Sequence, residues 1–268
     1  MTGSAPPRIT FDTNVCNVIN EPTKLPTLVA PEDARKIRAA ITDKRIAGFV
    51  SEASLFVECL SFPDKLAYLA VAGTPDARPA PDPRTVAMFD DLAKIGIRLL
   101  HAPLIGGEKF VDSFQWANDD RFSAEDRHNR FSAFTRPLPR HEPLRQHGQA
   151  LLKNQPPVPR GKVFNQTPTS FSVSVPQDWA IAIKRAWDRS DAAGQKALRK
   201  VVGPMIGEWC DALILGSHVG YGNDIFCTTD LGGNAGPRSL LHQSNRASLN
   251  AQGITLMTPA ELVKKYNL

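Results

Sequence analysis

The feature that most constrains the fold of this chain is a short apolar run that ends in an acid. RITF at residues 8–11 has the length and pattern of a buried strand, and it leads directly into Asp12, Thr13 and Asn14. Removing a carboxylate from water at the end of a buried strand costs free energy, so such a group normally has a partner. The sequence therefore raises the question of which partner Asp12 has.

Short apolar runs of strand length alternate with helical patterns towards both ends of the chain. The predicted strands lie at 8–11, 46–51, 97–100, 224–229 and 253–257. The predicted helices lie at 31–45, 52–62, 82–96, 176–190, 191–203, 204–222, 237–251 and 258–266. Strand–helix alternation of this kind is typical of the α/β class. We therefore predict a doubly wound, mostly parallel sheet flanked by helices.

The alternation stops between residues 101 and 176. This segment is rich in proline and arginine and has no sustained hydrophobic period, which predicts an insertion or a long loop. Residues 121–165 contain nine Lys or Arg and three acids. Such a local excess of positive charge suits a polyanionic partner, and a solvated linker can also carry it. We predict a single α/β domain formed by 1–100 and 177–268, with 101–176 as a basic, proline-rich insertion.

Composition favours a globular protein without membrane segments. Apolar residues make up 42% of the chain and charged residues 22%, which is ordinary for a globular domain. No run approaches the roughly 18 consecutive apolar residues of a membrane-spanning helix, and the start, MTGSAPPR, lacks the apolar segment of a secretory signal. Four cysteines form no CxxC pair, and we interpret them as reduced core thiols: Cys16, Cys59, Cys210 and Cys227. These features predict a cytoplasmic protein.

Several further acids lie at strand ends or on apolar helices, as Asp12 does. Glu52 follows the second predicted strand, and Asp230 follows the fourth. Glu58 and Asp211 lie on helices that are otherwise largely apolar. In an open parallel sheet, functional groups gather outside the carboxyl ends of the strands. Several carboxylates gathered there would form an oxygen-rich cluster, which hard divalent cations such as Mg²⁺ or Mn²⁺ select.

Each acid also has a purely structural interpretation. Asp12 could cap the helix that follows it, and Asp230 could belong to a turn before LGG. Glu52 suits the first turn of a helix, where the helix dipole favours an acid. Asp211 could pair with an arginine of the insertion. The combination of several acids on one sheet is what favours a metal site.

Four acidic stretches resemble the four acidic motifs of the PIN-domain nucleases, a family that includes the VapC-like ribonuclease toxins. These stretches are ITFDTNV, LFVECL, EWCDALILGSHVG and DIFCTTD. They occur in the family's order, and the closing GITLMTPAELVKKY resembles the family's last strand and helix. The resemblance covers residues 8–100 and 177–266. The insertion at about 101–176 is foreign to those much shorter toxins.

The resemblance implies a PIN-like fold and a divalent-metal-dependent endoribonuclease that hydrolyses RNA phosphodiester bonds. The residues that would hold Mg²⁺ or Mn²⁺ and act in catalysis are Asp12, Glu58, Asp211 and Asp230, and Glu52 competes with Glu58 for the second position. The side chains that would support them are Thr13, Asn14 and Thr229. Besides the RNA substrate, the resemblance leaves open an antitoxin-like protein and a second copy of the chain as partners.

Grip on the RNA would come from the basic insertion, whose phenylalanines could stack on unpaired bases. The basic residues expected to contact RNA are Arg127, Arg130, Arg136, Arg140, Arg145, Lys153, Arg160 and Lys162. The same segment could equally be a partner-binding or solvated arm.

Other functions fit parts of the pattern. A PIN-fold protein without catalytic activity could serve as an RNA-binding or protein-interaction module, and RNA binding that ignores EDTA would favour it. A HAD-like phosphatase also begins with a strand-end aspartate, but it needs a second aspartate two positions on, where this chain has Asn14. A zinc site would require the four cysteines to converge tetrahedrally, and core packing accounts for them more simply.

Overall fold

A parallel sheet of short strands lies at the centre of the structure, which is a computed structural model. It describes residues 5–71, 79–102, 116–117, 121–135, 142–153, 178–230 and 239–268. The strands are β1 (Arg8–Phe11), β2 (Ala47–Ser51), β3 (Arg98–Leu100), β4 (Ile225–Cys227) and β5 (Leu256–Met257). Neighbouring strands are parallel and follow the order β3-β2-β1-β4-β5. The predicted α/β class and the parallel sheet are confirmed.

Helices connect these strands. They are α1 (Thr13–Asn20), α2 (Pro31–Thr42), α3 (Phe62–Ala70), α4 (Pro83–Lys94), α5 (Ala124–Thr135), α6 (Glu142–Lys153), α7 (Asp178–Arg189), α8 (Ala192–Tyr221), α9 (Arg246–Ala251) and α10 (Pro259–Tyr266). A π-helix spans Ser54–Glu58, and a 3₁₀-helix spans Gln243–Asn245. Local signals explain several boundaries: α10, for example, begins with a capping box in which Thr258 and Glu261 bond each other's backbone N–H. No helix in the described part of the chain is long and apolar enough to cross a membrane.

Helices cover both faces of the sheet, which is compatible with a doubly wound fold. On one face, α8 contacts the strands through Ser217, whose hydroxyl lies 2.9 Å from that of Ser51 on β2. On the other face, a side chain at Gly48 would meet Phe11 and Ile41, so α2 packs closely there. Strand side chains alternate between these two faces, and β1 is buried along its whole length.

The segment 101–176 contains more regular structure than its sequence predicts. The described parts of it include the helices α5 and α6. Helix α5 packs against α8, because Phe131 fills the space that a side chain at Gly216 would need. The expectation of an irregular segment is therefore wrong for these two helices, whose burial depends on residues distant in sequence.

The chain divides into two compact units. The first consists of Met1–Cys59, Pro81–Leu138 and Cys210–Leu268, and it contains the sheet. The second consists of Leu60–Ala80 and Pro139–Trp209 and is helical in its described residues. Within the second unit, the rings of Phe62 on α3 and Trp187 on α7 lie 5.0 Å apart.

The sequence predicts two separate helices over 191–203 and 204–222, whereas the structure has a single helix, α8. It is continuous over 30 residues, with Pro204 inside it rather than in a first turn. Proline lacks a backbone N–H and usually begins a helix, which is why the sequence suggested a boundary here. The last part of α8, from Cys210 onward, belongs to the first unit.

Candidate active site

The strand order reverses between β1 and β4. The chain runs outward from β1 through β2 to β3, and then returns to place β4 on the other side of β1. In open parallel sheets, ligands bind outside the carboxyl ends of the strands at such a point. Asp12 follows β1 directly, and residues 228–230 follow β4, so both segments lie at this position.

Asp12 is the most buried of the four predicted metal ligands, with 3% of its surface exposed. It is the N-cap of α1, and its Oδ1 accepts a hydrogen bond from the Thr13 backbone N–H at 2.7 Å. Its Oδ2 accepts one from the Thr228 hydroxyl at 2.6 Å. The structural interpretation of Asp12 as a helix cap is therefore confirmed. A cap alone does not require so deep a burial of the carboxylate.

The surroundings of Asp12 contain no basic group among the described residues. Burial raises the pKa of Asp12 above its usual value, the hydrogen bonds from Thr228 and Thr13 act in the opposite direction, and the charge of Asp230 raises the pKa further. A second carboxylate thus lies near Asp12 where a neutralising lysine or arginine would be expected.

Asp230 shares a hydrogen-bond partner with Asp12. Its backbone N–H donates to the Thr228 hydroxyl oxygen at 2.9 Å, while that hydroxyl donates to Asp12. Thr228 is fully buried, whereas Asp230 is half-buried. One hydroxyl therefore links the ends of β1 and β4.

Glu58 reaches the same region from the π-helix. The N–H of Cys59 bonds the carbonyl of Ser54, which is the i→i+5 pattern of a π-turn. At the end of this wide turn, Glu58 Oε2 accepts a hydrogen bond from the Thr13 hydroxyl. Thr13 thus links the two acids, since its hydroxyl donates to Glu58 and its backbone N–H donates to Asp12. Single π-turns of this kind occur frequently at functional sites.

The carboxylate of Glu52 has different partners from that of Glu58. It is 1% exposed, and its Oε1 accepts a hydrogen bond from the backbone N–H of Ala102 at 2.5 Å. Its Oε2 lies 3.7 Å from His101 Nδ1. These contacts place the Glu52 carboxylate at the end of β3. Of the two glutamates that compete for the second position, Glu58 is the one that contacts Thr13.

Asp211 lies on α8 on the helix face that is directed at β1. His218, two turns later in α8, has its Nδ1 3.0 Å from the Thr10 hydroxyl, and Thr10 and Asp12 share one face of β1. Seven helical residues span about 10.5 Å, and two strand residues about 7 Å. Half-buried Asp211 therefore shares the face of α8 that carries His218, and ideal helix and strand geometry would put it near the level of the carboxyl end of β1.

The supporting hydroxyl belongs to Thr228, one residue before the predicted Thr229. Thr229 and Asn14 are half-buried and make no side-chain hydrogen bond to the described acids. The register explains this difference: Phe11 pairs with Cys227, so the next residues, Asp12 and Thr228, lie opposite each other. No local pattern in the sequence indicates the register between β1 and β4.

In the described part of the chain, no three side chains of His, Cys, Asp or Glu form a ready group of metal ligands. The pair of carboxylates nonetheless suits Mg²⁺, which keeps several waters and commonly uses one or two protein carboxylates together with substrate phosphates. The oxygen donors of Asp12 and Asp230, and the lack of a basic group beside Asp12 among the described residues, match that mode of binding.

Among the described residues, which include all four cysteines, no cysteine forms a disulfide bond. Burial raises the pKa of the Cys16 and Cys227 thiols well above the usual value, and the charge of Asp12 acts in the same direction. Both therefore stay protonated near neutral pH, as expected of core thiols.

The predicted RNA-binding residues divide between the two units. Arg127 and Arg130 lie on α5 in the first unit. Arg145 and Lys153 lie on α6 in the second unit, where Arg145 forms an ion pair with Glu142. The remaining four, Arg136, Arg140, Arg160 and Lys162, lie outside the described residues.

Comparison of the chain with protein-family models, with curated proteins and with solved structures finds no match.

Proposed function

We propose that this protein is a PIN-like, divalent-metal-dependent endoribonuclease that uses the carboxylates at the switch point between β1 and β4. One observation carries the proposal: the buried carboxylate of Asp12 has a second carboxylate, Asp230, as its charged neighbour and no basic partner among the described residues. A buried charge in such a position requires compensation. A divalent cation supplies it, and this would answer the question that the sequence raises about Asp12.

Each residue of the site has a role that follows from its contacts. Asp12 and Asp230 would hold the cation, and the Thr228 hydroxyl fixes the orientation of the Asp12 carboxylate. Glu58, hydrogen-bonded to Thr13, and Asp211 on α8 would complete the acidic rim. When bound, Mg²⁺ or Mn²⁺ would supply a lowered pKa for water and a positive charge for the phosphate.

RNA is the proposed substrate because of the charge distribution. Net charge is +5, and the segment 121–165 holds a strong excess of bases. Basic side chains contact phosphates and raise the local concentration of a polyanion near the acidic site. A cytoplasmic location, an antitoxin-like partner and self-association remain predictions.

Cleavage of a labelled single-stranded RNA tests the proposal. Wild-type protein is expected to cut the RNA with Mg²⁺ or Mn²⁺ and to stop in EDTA, while Asp12→Asn is expected to be inactive. Asp43→Asn is the matched control, because Asp43 is exposed at the end of α2. Equal cutting by Asp12→Asn and wild type would refute the proposed site.

A second candidate function is an RNA-binding module without catalytic activity. The observation that favours it is that no three potential ligands come together in the described residues. This module would bind RNA equally well with Mg²⁺ and with EDTA, and it would cut no RNA in either condition.

A further inference from the structure

Five arginines contact aromatic rings or the turn near the C-terminal end of α8. We name them the arginine cluster: Arg8, Arg98, Arg121, Arg127 and Arg130. All five belong to the first unit of the chain. Arg8 is the first residue of β1, whereas Asp12 follows the last residue of that strand. The cluster therefore lies towards the amino ends of the strands, and the carboxylates lie at the carboxyl ends.

Two of these arginines share one aromatic ring. The guanidinium carbons of Arg8 and Arg98 lie 4.4 Å and 4.6 Å from the ring centre of Phe49. Phe49 packs in one core cluster with Tyr221, and the guanidinium of Arg127 lies 5.0 Å from the ring centre of Tyr221. Contacts with aromatic faces therefore hold three positive charges close to each other.

The other two arginines contact the turn that ends α8. Arg121 Nη1 donates to the Gly222 carbonyl at 3.2 Å, and Arg130 Nε donates to the Val219 carbonyl at 2.9 Å. The Arg130 guanidinium also lies 4.3 Å from the ring centre of Phe122. Gly222 has a φ of +58°, and a side chain there would lie within 2.7 Å of the Phe122 ring. The close approach of these groups thus depends on a glycine.

Stacking on a ring occupies the flat face of a guanidinium and leaves the N–H groups in its plane available. Arg98 is half-buried, and none of its side-chain N–H groups has a hydrogen-bond acceptor among the described residues. Arg8 is fixed by its Nε, which donates to Asn223 Oδ1 at 2.8 Å, and Asn223 Nδ2 in turn donates to the Thr10 hydroxyl. A guanidinium that is held by a ring and has available N–H donors, as that of Arg98 is, matches the geometry of phosphate oxygens.

We propose that the arginine cluster binds the phosphodiester backbone of single-stranded RNA, at a second site on the sheet unit. The inference rests on the proposed function only for the choice of RNA as the polyanion. Capping of α8 carbonyls explains the contacts of Arg121 and Arg130, but it does not explain why Arg8 and Arg98 both lie on Phe49.

Binding of a fluorescein-labelled single-stranded RNA 12-mer, followed by anisotropy in EDTA, tests the inference. Arg98→Gln is expected to weaken binding about tenfold, as the loss of one charge-assisted hydrogen bond to phosphate would do. It should also reduce the slope of log K against log salt by about 0.7. Arg98→Lys, which keeps the charge, should retain part of the affinity. Arg35→Gln is the matched control, since Arg35 is exposed on α2 beside Glu32.

The results separate this inference from the proposed nuclease. Circular dichroism and thermal unfolding establish that each variant is folded, and Arg130→Gln provides a second test of the cluster. If Arg98→Gln and Arg130→Gln bind RNA as the Arg35→Gln control does, or if the wild type binds no RNA in EDTA, the inference is wrong. If the wild type binds RNA through the cluster but cuts none with Mg²⁺ or Mn²⁺, the inference stands and the nuclease proposal fails.

Discussion

Replacement of Thr228 by valine removes one buried hydroxyl at nearly constant side-chain volume. That hydroxyl donates to Asp12 Oδ2 at 2.6 Å and accepts from the Asp230 N–H at 2.9 Å. Hydrogen bonds to charged groups contribute about 1.5–3 kcal/mol, and the Asp230 N–H also loses its acceptor when the hydroxyl is removed. We therefore expect the free energy of unfolding to fall by about 2–3 kcal/mol at pH 7.

Urea denaturation at pH 7 in EDTA measures this change. Thr228→Ser keeps the hydroxyl and should stay within about 1 kcal/mol of wild type, apart from the small cavity left by one methyl group. Thr229→Val is the matched control, because Thr229 makes no side-chain hydrogen bond to the described acids. If Thr228→Val is as stable as Thr229→Val, the Thr228 hydroxyl does not support Asp12 and the described site is wrong.

Three further predictions concern other parts of the first unit. Gly216→Ala should lower the free energy of unfolding by about 1–3 kcal/mol in urea melts, because its methyl group would lie 2.6 Å from buried Phe131. Burial lowers the pKa of His218 to about 3, so stability should fall by about 1.4 kcal/mol per pH unit as pH drops below the unfolded value of 6.5. Urea melts between pH 7 and 4 should show a smaller pH slope for His218→Gln, and an unchanged slope would contradict this. Asp12→Asn should raise the midpoint of thermal unfolding in EDTA at pH 7, because it removes a buried charge. The amide oxygen can still accept from the Thr13 N–H, and the amide nitrogen can donate to the Thr228 oxygen, which reverses the direction of that hydrogen bond. A lower midpoint would count against an uncompensated carboxylate.

The sheet could be predicted from the sequence because its signals are local. The apolar run at 46–51 corresponds to β2 (Ala47–Ser51), and the run at 97–100 to β3 (Arg98–Leu100). The helix α5 could not be predicted in this way. Its burial depends on Gly216, which lies far away in sequence and leaves room for Phe131.

The positions of the acids were predictable in part. Asp12 and Asp230 stand directly after apolar runs, and strand ends meet at one edge of a parallel sheet. The contact between Glu58 and Thr13 depends on a π-turn, which no local sequence pattern specified. The role of Thr228 depends on the register between β1 and β4, which a single sequence does not contain.

Titration of the metal-free protein with Mn²⁺, followed by electron paramagnetic resonance, tests most directly whether the carboxylates at the switch point hold a divalent cation. Wild-type protein and the exposed-site control Asp43→Asn should bind Mn²⁺ in a saturable manner, and Asp12→Asn should lose this binding. Retention of full Mn²⁺ binding in Asp12→Asn, or absence of binding in the wild type, would contradict the assignment of a cation as the partner of Asp12.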